Sequence, residues 1–153
     1  MYDIFQYLHV ISMFGAVAAS VFPEVLAHLL VTRRSLAGLQ AVMPVFRVLG
    51  IAIPGLFLLG VAFGLVTAAV GQLDFFQPWL IASYVVFAAV FVVSGVFGGG
   101  WLSRLGQGVA SPDEAQARAA IESAAHDRRG LFAAVFGDLG VVVIVFLMVV
   151  KPG

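Results

Sequence analysis

The chain has 153 residues, 62% of them hydrophobic and 10% charged, with a mean hydropathy of +1.09; soluble domains carry roughly 25% charged residues, so this is the composition of a polytopic membrane protein. Eight Lys plus Arg balance eight Asp plus Glu, and no excess of either sign points to nucleic acid or to an acidic partner. The lack of cysteine excludes disulfides, iron–sulfur clusters, thiolate zinc sites and covalent c-type haem attachment.

Crossing the hydrocarbon core takes about 20 mostly apolar residues, and four segments qualify, at about residues 4–32, 41–70, 76–102 and 131–150. The opening "MYDIFQYLHV" has no basic n-region, so it reads as a retained first span and not as a signal peptide. Along that span Gln6, His9, Ser20, Glu24 and His28 fall within a sector of about 100°, a polar stripe that should face other helices. Pro23, and Pro54 in the second span, should bend their helices without ending them. Gly60 with Gly64 and Gly95 with Gly99 form small-xxx-small patterns that let helix backbones approach. "FGGGW" at 97–101 reads as a flexible or closely packed helix end.

Residues 111–130 are the one soluble-looking piece. Ser111 as N-cap, Pro112 at the first helical position and Glu114 three residues past the cap form a capping box, which predicts a helix over about 112–129. Arg118, Glu122 and His126 follow at four-residue spacing, a spacing that supports a helix through charge pairs. This helix should run into the fourth span with a bend at Gly130. Arg33, Arg34 and Arg47 lie in or near the first of the connections on this side, and Arg104, Arg118, Arg128 and Arg129 in the other. The opposite side has Lys151 as its only basic residue, and the "GQLDFFQPW" connection carries only Asp74. Short cytoplasmic loops retain basic residues, so both termini are expected outside and the short helix inside. Phe75, Phe76 and Trp79 fit an outer aromatic belt, and Trp101 an inner one. The expected architecture is all-α: a single domain forming a four-helix transmembrane bundle, N-out and C-out, with a cytoplasmic helix before the fourth span, in a bacterial-type inner membrane.

Glu24 lies nine residues before Arg33, Asp138 nine after Arg129, and Arg47 about six into the second span. At ~1.5 Å per residue the three fall at similar depth. A charge inside a span costs at least ~2.5–3.5 kcal/mol and normally finds a partner in the bundle interior, so a buried cluster of Glu24, Arg47 and Asp138 is expected, with His28 one turn nearer the cytoplasm. Structural ion pairing is one reading of this cluster, and a proton relay, an ion path or a ligand site are the others. His9 belongs to the outer half of the membrane. It either hydrogen-bonds a hydroxyl or carbonyl, with Ser83 and Tyr84 at its depth, or serves as axial ligand of a b-type haem. No phosphate loop, zinc motif or nucleophile elbow is present, and Met13, Met43 and Met148 are too scattered to suggest copper.

"LHVISMFGAVAASVFPEVLAH" resembles the first helix of the HemJ-type protoporphyrinogen oxidases and the CopD-like four-helix membrane proteins. The second helix, with Arg before a mid-helix Pro, and the third, opening "PWLIAS", are similar too. The resemblance implies a four-helix fold and His9 as a haem ligand. HemJ-type enzymes carry a lysine early in the third helix, where this chain has Ser83. In keeping the "LH" start together with that serine, the chain resembles more closely a family of predicted four-helix integral membrane proteins, a likeness that implies no activity.

Three functions are therefore compatible with the sequence. The first is a non-enzymatic subunit or accessory protein docked in the bilayer on other membrane subunits. The second is a b-haem redox protein using His9, and the third a small proton or ion conductor through Glu24, Asp138 and His28.

Overall fold

In a computed structural model that describes residues 1–152, the chain is helical nearly throughout. Its elements are α1 (Tyr2–Thr32), α2 (Leu36–Val70), α3 (Pro78–Val93), a π-helical segment (Ser94–Gly99), α4 (Gly100–Val109), α5 (Glu114–His126) and α6 (Arg129–Val150). Four helices among the described residues are long and apolar enough to cross a membrane: α1, α2, the continuous run Pro78–Val109, and α6. The third therefore continues seven residues past its expected end, because "FGGGW" does not close a helix. Gly98 and Gly99 are taken up in the π-helical segment, and α4 follows directly from Gly100. Helices α1 and α2 run unbroken through Pro23, Pro44 and Pro54.

The turns follow from local chemistry. Arg34 adopts φ 50° after α1, with the Ser35 amide bonded to the Leu30 carbonyl, a left-handed helix stop. The Ser35 hydroxyl then accepts from the Gly38 amide at the start of α2. Gln72, with φ 53°, ends α2 in the same way. Pro78 opens α3 at a position where no amide is needed.

The cap of α5 lies two residues beyond its expected place. Asp113, not Ser111, is the N-cap and accepts from the Ala115 amide at 2.9 Å, while the Ser111 hydroxyl accepts from the Asp113 amide. The expected bend at Gly130 is instead a break at Asp127 and Arg128. Asp127 is extended, with φ −81° and ψ 102°, and its carboxylate accepts from the Arg129 amide at the start of α6.

The chain forms two compact units. One comprises Met1–Leu26 and Pro44–Phe75, and the other Ala27–Met43 with the chain from Phe76 onward. In the first, α1 and α2 meet along a seam in which Tyr2 lies on Gly71, His9 on Gly64 and Met13 on Gly60. The intervals are seven and four residues on both antiparallel helices, so successive contacts stay on one face of each. The Thr67 hydroxyl, buried beside this seam, donates back to the Phe63 carbonyl.

In the second unit α6 packs on α3 and the π-helical segment, with Gly140 against Val90, Gly98 against Ala133 and Gly137 against the Ser94 hydroxyl. The expected pair Gly95 and Gly99 makes no such approach: nothing lies within 4 Å of a Cβ at Gly95, and at Gly99 the nearest atom is 3.9 Å away. The π-helical segment shifts the face that follows it, so Gly98 becomes the contact. Helix α5 lies on α4, with Gly108 against Ala120 and with Leu105, Val109, Ala117 and Ile121 buried. Arg118 pairs with Glu114, and Glu122 reaches Arg34 at 2.8 Å. Both ends of the Arg34–Glu122 pair are about half exposed or more, at 66% and 48%. Glu122→Ala is thus expected to lower stability by less than about 1 kcal/mol, which thermal unfolding in detergent would read as a small shift in midpoint.

Candidate functional site

The seam of the first unit places one polar group among apolar ones. His9 is half-buried on α1, and its Nδ1 lies 2.6 Å from the Gly60 carbonyl oxygen on α2. A carbonyl can only accept, so Nδ1 carries the proton and donates it. In the neutral ring the lone pair is then on Nε2, for which no hydrogen-bond partner lies among the described residues. A metal-binding imidazole is oriented in this way, by a bond from its other nitrogen to a backbone carbonyl.

Gly64 makes the arrangement sterically feasible. A Cβ there would stand 2.8 Å from Nδ1 and 2.9 Å from Cε1 of His9, and one at Gly60 would meet the Met13 sulfur at 2.5 Å. Both are closer than real Cβ contacts, so the two glycines form the cradle that admits the ring. Phe5 and Phe63 stand 6.5 Å apart, centroid to centroid, on the same two helices. The expected hydrogen bond of His9 is thus made to a carbonyl, that of Gly60. Ser83 is buried and spends its hydroxyl on the Trp79 carbonyl at 2.8 Å.

The buried polar cluster does not take the expected form. Arg47 and Asp138 are exposed and Glu24 and His28 only half-buried, and no charged residue among the described ones is buried. No ion pair among the described residues involves Arg47 or Asp138. Counting residues from the loops fixes height along a helix but not the direction in which a side chain points, and direction decides burial.

His28 has a partner that the sequence did not reveal. Its ring stacks on Trp101, with centroids 4.7 Å apart and planes 14° from parallel. Trp101 is 4% exposed, its Nε1 donates to the Ala124 carbonyl at 3.2 Å, and a Cβ on Gly130 would stand 2.7 Å from its ring. It is therefore a core residue joining α1, α4, α5 and α6, not a member of an interfacial belt. Two polar contacts close the same end of this unit, Arg34 to Glu122 and the Gln40 amide to the Val109 carbonyl at 3.0 Å. Trp79 is buried too; its Nε1 donates to Gln77 and the Lys151 ammonium lies 5.6 Å above its ring.

No three His, Asp or Glu side chains among the described residues are grouped to hold a metal ion. In comparison with known proteins no family model matches the chain, and no curated protein or solved structure is significantly similar to it.

Proposed function

We propose that the chain is a small integral membrane subunit or accessory protein of a larger assembly in a bacterial-type inner membrane, with both termini outside and α5 in the cytoplasm. The observation that supports this reading is the second span. Only 6% of its most apolar window is buried within the chain, and Arg47 stands exposed on it. A lipid-facing charge is costly, and a contact surface on another membrane protein relieves that cost. A photocrosslinking residue at Ile51, itself 81% exposed, should give one discrete protein adduct in native membranes. Crosslinks to lipid alone would sink the reading.

The orientation is tested separately. The chain has no cysteine, so single-cysteine variants are clean probes. Ser123→Cys in α5 should resist a membrane-impermeant thiol reagent in intact cells, and Gln72→Cys should react. The reverse pattern would invert the topology.

One observation favours a second reading, a b-type haem held by His9: the Nδ1 bond to Gly60 leaves Nε2 as the available donor atom. A bound haem would supply one-electron chemistry, while the chain's own part is to fix the imidazole through its bond to Gly60 and the space left by Gly64. Protein made with haem available should then show a Soret band that His9→Ala abolishes and His28→Ala retains. A colourless wild-type protein removes this reading.

A further inference from the structure

We infer that the exposed Arg47 on α2 meets the exposed Asp138 on α6 of a second copy of this chain, forming the charged centre of an intramembrane self-association surface. The inference rests on the subunit reading above, in that it names the partner of the same membrane-facing surface.

Each charge lies within a spanning helix, exposed, and in no ion pair among the described residues. Counted along its own helix, Arg47 is 11 residues past Leu36 and Asp138 nine past Arg129. At ~1.5 Å per residue these are heights of about 16 and 14 Å above the first residue of each helix, a difference within the reach of a guanidinium. The surroundings match as well. Arg47 is ringed at the i−3, i+1 and i+4 positions by exposed Pro44, Val48 and Ile51, and Asp138 by exposed Val135, Leu139 and Val142. Each is a single charge in an apolar helix face, and apposing two such faces would place the ion pair at the centre of a ring that excludes lipid and water.

Charge complementarity selects the occupant. An anionic lipid would satisfy Arg47 and leave Asp138 exposed in hydrocarbon, and a partner subunit with one carboxylate would do the same. A second copy carries the opposite charge for each of them. Most soluble oligomers are likewise built from copies of one chain.

The test uses two differently tagged copies of the full chain, co-expressed and purified in mild detergent. Wild-type copies should co-purify. R47D with R47D, and D138R with D138R, place like charges together and should lose co-purification about tenfold or more, since close interfacial charge pairs carry at least that much coupling. R47D with D138R makes both contacts complementary again and should recover the wild-type yield, as should the double variant R47D/D138R with itself. Far-UV circular dichroism checks that each variant is helical. Should the charge variants not fold, Val48→Cys with Leu139→Cys, which leave both charges in place, should give an oxidised dimer band in native membranes. Wild-type copies that do not co-purify, like-charge variants that associate as wild type does, or no cysteine-linked dimer would each overturn the inference. Loss of bound anionic lipid from R47D with no change in association would assign Arg47 to a headgroup instead. A crosslink from Ile51 to a different protein, with self-association absent, would overturn the inference and leave the subunit reading standing.

Discussion

Trp101→Ala is expected to destabilise the second unit by about 3–5 kcal/mol, the range for removing a buried tryptophan side chain. The cost has three sources on one ring. The indole is almost fully enclosed, it stacks on His28, and it lies against the backbone of Gly130, where no larger residue could fill the space it leaves. Its Nε1 also holds the Ala124 carbonyl in the last turns of α5. Trp101→Phe keeps most of the apolar area and loses the hydrogen bond, and should cost less, about 1–3 kcal/mol. Tryptic cleavage offers a local readout, because Arg118, Arg128 and Arg129 lie in or next to the segment that Trp101 anchors. Trp101→Ala should speed cleavage there at temperatures where the wild-type protein resists, whereas Glu122→Ala should not. Equal rates for Trp101→Ala and wild type would show that α5 is held by its contact with α4 alone.

The four spans were legible because hydrophobic run length is a one-dimensional signal. Where direction mattered, the reading was weaker. The counts along the helices predict a common depth for Glu24, Arg47 and Asp138 but say nothing of direction, and the Arg47 and Asp138 side chains are exposed. A residue count cannot show this unless the neighbours that bury one face of the helix are known. The same limit hid the stack of His28 on Trp101: the two are 73 residues apart, and neither has a motif around it. The small-xxx-small pattern succeeded at Gly60 and Gly64, in a regular α-helix, and failed at Gly95 and Gly99, where the π-helical segment changes the periodicity on which the pattern depends. For α5 the capping signal was real but ambiguous, since Ser111 and Asp113 both offer an oxygen. The carboxylate, accepting from the amide two residues on, became the cap.

Gly64 offers the strongest test of the candidate site. Glycine inside a helix ordinarily costs about 0.5–1 kcal/mol relative to alanine. Gly15→Ala on α1, with nothing within 4 Å of the new Cβ, should therefore stabilise the protein by that amount. At Gly64 the sign should reverse. The new Cβ would stand 2.8 Å from Nδ1 of a ring held by its bond to Gly60, and such overpacking typically costs about 1–3 kcal/mol. Gly64→Leu should displace the ring altogether, adding the lost hydrogen bond for a total of about 2–4 kcal/mol. His9→Ala removes the ring and leaves a space that the leucine side chain can enter. The double variant with Gly64→Leu and His9→Ala should then be more stable than the sum of the two single losses allows, a coupling that only groups in contact display. Thermal unfolding in detergent of the wild-type protein, both single variants and the double variant measures it. Strict additivity would mean that the ring and Gly64 do not touch, and with that the cradle and the oriented Nε2 would both have to be given up.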